Sequence, residues 1–234
     1  MSWTFHTIGL IESPCKEKFG VPRQSGLVPE LTARIIIQSP YDCIEAFEQL
    51  ESFSHIWVLS VFHQVFNTDY QWQPTVRPPR LGGNKRVGVF ASRSPYRPNP
   101  IALSVYKLIG IEHHRQHLAL NVSGCDLVDG TPVLDIKPYV PYADKVEDAV
   151  GGYVETVTKP MLNVVFDGPA SEACAEIESN GYPGFGLLVE RLIAQDPRPA
   201  YHEQSQQKVY GIRIYGYNVR FRVVDGQATV MQIE

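Results

Sequence analysis

Over roughly the first 140 residues the apolar positions come in short runs rich in β-branched side chains. Residues 33–38 read Ala-Arg-Ile-Ile-Ile-Gln, and residues 55–62 read His-Ile-Trp-Val-Leu-Ser-Val-Phe, an almost unbroken apolar stretch. Runs of this length and composition are the mark of strands, and a near-continuous one suits a strand at the centre of a sheet. Further strands are predicted at 7–11, 86–91, 101–111 and 118–126. Only 41–50 suggests a helix, with Glu45, Glu48 and Glu51 on its polar side. Many short strands without long helices between them favour a barrel or sandwich over a doubly wound sheet.

Proline-rich connectors separate these runs at 74–79, 95–100 and 132–141. Proline fixes φ and removes a donor, so the three are predicted as ordered loops rather than strands. Residues 144–158, acidic and glycine-containing, read as a linker. Beyond them the pattern changes to a strand at 161–166, helices at 171–179 and 185–194, and strands at 209–217, 219–224 and 228–233. Asp225-Gly226 marks a hairpin turn. The expected organisation is a mainly β domain over 1–143, a linker over 144–158 and a small α+β domain over 159–234.

With 44% apolar residues in a chain of 234, the composition is that of a globular protein able to bury a sizeable core. No apolar run approaches the length of a membrane-spanning helix. Residues Met1 to His6 lack the basic head and apolar stretch of a secretory signal, so the cytoplasm is the expected compartment. Cys15, Cys43, Cys125 and Cys174 form no CxxC, which argues for reduced thiols and against zinc. His113, His114 and His117 fall at a predicted hairpin tip with no supporting cysteine or carboxylate pattern, so no metal is expected.

Net charge is −4, which by itself does not point to nucleic acid. Its distribution changes the picture. Residues 70–111 hold Arg77, Arg80, Lys85, Arg86, Arg93, Arg97 and Lys107 and no acidic residue; the rest of the chain has 14 basic against 25 acidic residues, a net −11. Such a concentration suits an anionic ligand or an RNA backbone, and equally a solvated basic face.

The familiar nucleotide and protease signatures, GxGxxG, GxxxxGK[ST] and HExxH, are missing. Gly82-Gly83 reads as a turn or a close approach to a ligand. His63-Gln64 ends the apolar run of 55–62, a place where polar site residues sit. Asp129-Gly130 is ordinary turn chemistry. A strand puts Asp135 and Lys137 on one face, which fits an ion pair and a catalytic role alike. Arg198 and Tyr201, in Asp196-Pro197-Arg198-Pro199-Ala200-Tyr201, suit an RNA phosphate and base, or a rigid structural turn.

These words together resemble a known family. In chain order they are residues 13–19 and 21–24, Phe53-Ser54-His55-Ile56-Trp57, Phe62-His63-Gln64, Arg77-Pro78-Pro79-Arg80-Leu81-Gly82-Gly83-Asn84, residues 88–94, Arg97-Pro98-Asn99-Pro100, residues 126–132, Asp135-Ile136-Lys137-Pro138-Tyr139 and residues 196–201. The series is similar to the TsaA-like (TrmO, YaeB) tRNA methyltransferases and spans nearly the whole chain. Cys15 stands where the family pattern leads one to expect Tyr.

The resemblance implies a single-sheeted β-barrel followed by the small α+β domain. It implies S-adenosyl-L-methionine as cofactor, a homodimer, no metal and no membrane. The implied reaction adds a methyl to N6 of threonylcarbamoyladenosine 37 in the anticodon stem-loop of threonine-type tRNAs. Carried over residue by residue, the cofactor set is Pro22, Arg23, Gln24, His63, Gln64, Arg93, Leu103, Asp126, Leu127, Val128, Asp129 and Gly130. Arg, amide and carboxylate groups are what a methionine carboxylate, adenine and ribose need. Asp126 or Asp135 is expected to take or orient the N6 proton, with Lys137 and Tyr139 orienting the base. Arg77, Arg80, Arg86, Arg97, Arg198 and Tyr201 are expected at RNA. Two rivals stay open from the residues alone: a non-catalytic RNA-binding or regulatory module using the basic stretch, and a metal-dependent hydrolase using the Asp cluster and His63.

Overall fold

In a computed structural model, residues 3–66, 71–78, 81, 85–114, 117–156, 161–198 and 208–234 are described. Among the described residues, twelve strands and three helices run in chain order. They are β1 (Gly9–Glu12), β2 (Thr32–Ile37), β3 (His55–Val61), β4 (Thr75–Val76), β5 (Val87–Gly88), β6 (Ile101–His114), β7 (His117–Ser123), β8 (Pro132–Pro138), α1 (Pro141–Asp144), β9 (Asn163–Phe166), α2 (Gly168–Ser179), α3 (Phe185–Ala194), β10 (Val209–Ile214), β11 (Tyr217–Val224) and β12 (Gln227–Ile233). The chain divides into two compact units. One comprises Met1–Glu12, Ala33–Ser123 and Gly130–Lys159; the other comprises Ser13–Thr32, Gly124–Asp129 and Pro160–Glu234.

The first unit is a closed barrel in the order β1-β2-β7-β6-β3-β8. The expectation of a single-sheeted β-barrel is met. Strict alternation explains the closure. β3 buries Ile56, Val58 and Ser60 and turns His55, Trp57, Leu59 and Val61 outward. Ala33, Ile35 and Ile37 of β2, with Leu118, Leu120 and Val122 of β7, supply matching inward rows. Inward rows of β-branched and small residues fill a narrow barrel without leaving a channel.

Three local expectations are corrected. Residues 132–141, predicted as a loop, contain β8, which closes the barrel against β1 and β3. Pro132 and Pro138 stand at its two ends, so its interior keeps the ladder donors. The predicted strand at 86–91 is only Val87–Gly88; Val89–Ala91 turns into a 3₁₀ segment because the Ser92 N–H and hydroxyl both donate to the Val89 carbonyl. The predicted helix at 41–50 is two 3₁₀ turns, Ile44–Phe47 and Leu50–Ser52, separated by Gln49 in the left-handed region at φ 68°. Neither turn buries a residue, so no apolar face holds a continuous helix together.

The second unit is a four-stranded sheet in the order β10-β11-β12-β9, with β9 parallel to β12 and the rest antiparallel. Asp167 caps α2, accepting a hydrogen bond from the Ala170 N–H, and a proline follows in the first turn. α3 buries Phe185, Leu188, Val189, Leu192 and Ile193, and the sheet buries Tyr210, Ile212, Val219, Phe221 and Val230. Asp225 and Gly226, both at positive φ, make the hairpin turn between β11 and β12.

All four cysteines are free thiols, and only Cys43 is exposed. Burial pushes the Cys15 thiol up to about 11 from 9.0, against smaller lowering effects of the Ser13 hydroxyl and the Lys16 ammonium. Burial likewise pushes Cys174 up to about 11, and the Glu178 carboxylate adds to it. In the native protein at about pH 8, a thiol reagent should therefore modify Cys43 alone, read by peptide mass spectrometry. The unfolded thiols ionise first, near 9.0, so stability intact below that pH falls as pH rises toward 11. A denaturant midpoint unchanged across that window would count against the burial.

Candidate active site

The outer face of the barrel across β6, β3 and β8 gathers several of the predicted residues. The register places Lys107, Val105 and Leu103 beside His55, Trp57 and Leu59. On the other side of β3, Trp57 faces Lys137 and Leu59 faces Asp135, and the Tyr139 N–H donates to the His55 carbonyl. Three rows result: Lys107–His55–Tyr139, Val105–Trp57–Lys137 and Leu103–Leu59–Asp135.

A β-bulge sets this arrangement. Ser60 pairs with Val133, but Leu59 pairs with Asp135, so Leu134 is an extra residue on β8. Val133 points into the barrel and is fully buried. In a regular strand Asp135 would share that inward face; the extra residue reverses the phase and turns Asp135 and Lys137 outward. There the Lys137 ammonium lies 2.8 Å from one Asp135 carboxylate oxygen, and the other oxygen accepts from the Ile136 N–H at 3.0 Å. The Trp57 and Tyr139 rings tilt against each other at 5.8 Å, with His55 edge-on to Tyr139 at 6.4 Å.

The loops of the same unit carry the remaining predicted residues. His63 and Gln64 open a 3₁₀ turn directly after β3, and the Phe62 N–H donates to the Pro100 carbonyl. Arg97 donates from Nη1 to the Ser92 carbonyl at 3.1 Å and so braces the 92–97 loop, on which Arg93 is exposed. The β4–β5 ribbon pairs Val76 with Val87, so exposed Arg77 and Arg86 continue it side by side. Arg80 and Tyr201 lie outside the described residues, as do Gly82 and Gly83.

The second unit brings together the 22–24 and 126–128 words. The Gly26 N–H donates to the Gly124 carbonyl, and the Gly124 and Cys125 N–H groups both donate to the Leu31 carbonyl. A Cβ on Gly124, which sits at φ +78°, would lie 2.9 Å from the Gly26 backbone. The two loops touch this closely only because residue 124 carries no side chain, whereas a Cβ on Gly26 would meet open space. Gly124→Ala should cost about 1–2 kcal/mol from left-handed strain alone, more from the overlap, and weaken any ligand held by these loops; thermal melts and calorimetry check it. Arg23 donates from Nη2 to the Asp196 carbonyl, Pro22 and Leu127 are buried, and Asp126 and Val128 are half-buried.

Two predicted residues are used inside the unit. Asp129 accepts from the Ser13 N–H at 2.9 Å and pairs with Lys16 at 2.9 Å, so both carboxylate oxygens fasten the 13–16 segment. Arg198, expected at an RNA phosphate, is buried and forks onto Asp196 with Nε at 2.7 Å and Nη2 at 3.0 Å. Gly130, in the first unit, is exposed at φ +73° and makes a turn. Trp57 and Lys107 also stand on this face; the sequence shows Lys107 in the basic stretch and Trp57 in a family word, but neither carries a site role there. Among the described residues, no group of three or more His, Cys, Asp or Glu is placed to hold a metal, and no helix is long and apolar enough to cross a membrane.

The family model of the tRNA-methyltransferase O N-terminal domain matches residues 10–145, and that of the TrmO C-terminal domain matches 159–234. The chain belongs to the tRNA-methyltransferase O family. It is 44% identical over 234 residues to a tRNA (adenine(37)-N6)-methyltransferase of Escherichia coli strain K12, covering 100% of this chain and 98% of that one. A Pseudomonas aeruginosa relative, described provisionally as an S-adenosylmethionine-dependent methyltransferase, is 42% identical over 94% of this chain and 93% of its own length. A crystal structure of TrmO from Pseudomonas aeruginosa superposes with a TM-score of 0.81 at 35% identity, covering 100% of both chains. Membership of this family accounts for a barrel in place of a glycine-fingerprint nucleotide fold.

Proposed function

We propose that this chain transfers a methyl group from S-adenosylmethionine to N6 of adenine 37 in tRNA, with threonylcarbamoyladenosine as the acceptor base. The observation that carries the reading is membership of the tRNA-methyltransferase O family over residues 10–145 and 159–234, with 44% identity to a tRNA (adenine(37)-N6)-methyltransferase. The reading extends to the anticodon stem-loop as binding partner, a homodimer as working form and the cytoplasm as location.

The second unit's residues fit the cofactor's chemistry. Arg23 suits a carboxylate, the Gln24 amide suits adenine, and Asp126 suits ribose hydroxyls or an ammonium. The glycine contact between the two loops holds these groups together. Pro22, Leu127 and Val128 of this unit belong with them; in the barrel unit, taken by itself, His63, Gln64, Arg93 and Leu103, the last 54% exposed, are proposed as cofactor residues. Bound S-adenosylmethionine supplies an electrophilic methyl on a sulfonium leaving group. The acceptor N6 is a poor nucleophile, its lone pair delocalised into the ring and the carbamoyl. Asp135 takes the N6 proton, Lys137 holds that carboxylate in place, and Tyr139 presents a ring to the base.

Arg77 and Arg86, like charges side by side, repel unless an anion sits with them. RNA phosphate is the anion of this reading. Arg77→Ala and Arg86→Ala should each weaken tRNA binding and flatten its log–log salt slope by about one. Nucleoside mass spectrometry of tRNA from a strain lacking the gene tests the reaction: one methyl should vanish from threonylcarbamoyladenosine. Unaltered modification would refute the assignment. Saturable S-adenosylmethionine binding by calorimetry separates the enzyme from a plain RNA-binding module.

A further inference from the structure

We infer that the outer barrel face across β6, β3 and β8 is a stacking platform for unpaired nucleotides of the anticodon loop, with Trp57 as its principal residue and Lys107 as its phosphate contact. This rests on the proposed function and adds to it the residues that hold the loop. Trp57, Tyr139 and His55 form one aromatic group on a sheet surface, with ring centres 5.8 and 6.4 Å apart. All three stand on outward positions of a barrel whose inward rows are already filled, so packing the core does not require aromatic side chains there. A row of small or polar residues would close the same barrel.

Charge selects the occupant. Lys107 flanks His55 on one side of the group and Lys137 flanks Trp57 on the other. Cations beside aromatic faces are the arrangement that takes single-stranded nucleic acid, because each nucleotide offers a π-face and a phosphate together. Lys137 is paired with Asp135 at 2.8 Å, so the charge that selects the occupant is that of Lys107, which an apolar protein partner would have to desolvate. The platform also ends on Asp135, one row beyond Trp57, so a base stacked on the aromatic group has its edge directed toward a carboxylate. Trp57 is therefore a positioning and specificity-determining residue.

The test uses the full chain and a fluorescent anticodon stem-loop carrying threonylcarbamoyladenosine, followed by anisotropy, with S-adenosylmethionine binding followed by calorimetry. Trp57→Ala should weaken stem-loop binding by about five- to a hundred-fold, Trp57→Phe should keep most of the affinity, and Lys107→Ala should lower the salt slope by about one. Cofactor affinity and melting temperature should hold in all three. Stem-loop affinity unchanged in Trp57→Ala overturns the platform. So does an equal loss in Trp57→Ala and Trp57→Phe with a lowered melting temperature, which would make Trp57 structural. A wild-type chain that binds the stem-loop through Trp57 without methylating it removes the proposed function and leaves the platform standing. A Trp57→Ala variant that binds and methylates the stem-loop normally does the reverse.

Discussion

Asp135→Asn should lower methyl transfer by on the order of 10²- to 10⁴-fold while leaving S-adenosylmethionine affinity unchanged. Asn keeps the size of the side chain and an oxygen for the Ile136 N–H, but it cannot take a proton. The competing explanation is structural, since Asp135 pairs with Lys137 at 2.8 Å. Magnitude decides between them. The two side chains are 44% and 64% exposed, and a pair so open to solvent is worth about 0–1 kcal/mol. Its loss should move the melting temperature by no more than a few degrees and cannot explain a hundredfold drop in rate. Single-turnover methylation and a thermal melt on the same variant settle the matter: near wild-type turnover sinks the role of Asp135 as the base.

The outward placement of Asp135 is one that the sequence could not foretell. Identity and spacing put Asp135 and Lys137 on one face of a strand, and that holds. Which face depends on Leu134, the extra residue of the bulge, and an apolar residue inside an apolar run carries no mark of being unpaired. The barrel was legible because many short apolar runs follow one another with no long helix between them; the alternation of burial along 55–61 shows only in the structure, since that run is apolar almost throughout. β8 was obscured by its terminal prolines, which read as loop until their positions at the strand's two ends are known. The 41–50 segment misled for the opposite reason: its carboxylate spacing is helical, but nothing beneath it is buried. For the candidate site, the words of residues 22–24 and 126–128 were readable by resemblance. Their meeting was not, because it depends on Gly124, which lies outside those words and has no room for a side chain against the Gly26 backbone. Arg198 shows the limit of reading charge alone. An arginine between prolines suits a phosphate, and only the fold reveals the carboxylate two residues away that occupies it.

That pair carries the largest expected effect on stability. Asp196 and Arg198 have side chains only 9% and 7% exposed, joined by two hydrogen bonds in a fork. Removing one partner from a buried pair leaves an uncompensated charge, at a cost of about 3–5 kcal/mol. Asp196→Asn is the sharper variant, because Asp196 sits at φ 49° and Asn tolerates the left-handed region. Ala there would mix backbone strain with the loss of charge. Arg198→Met should lose a similar amount, since it buries the Asp196 carboxylate alone. The double variant Asp196→Asn/Arg198→Met should recover a large part of the loss, because no buried charge remains. Denaturant melts of the three variants measure the cycle, and single variants within about 1 kcal/mol of wild type would show that water reaches the pair. The same experiment reaches function through Arg23, whose Nη2 donates to the Asp196 carbonyl. Loosening residue 196 loosens Arg23 beside the paired loops, so the folded fraction of Asp196→Asn should also bind S-adenosylmethionine more weakly. Asp135→Asn should not, and that contrast separates a residue that shapes the cofactor loops from one that acts on the base.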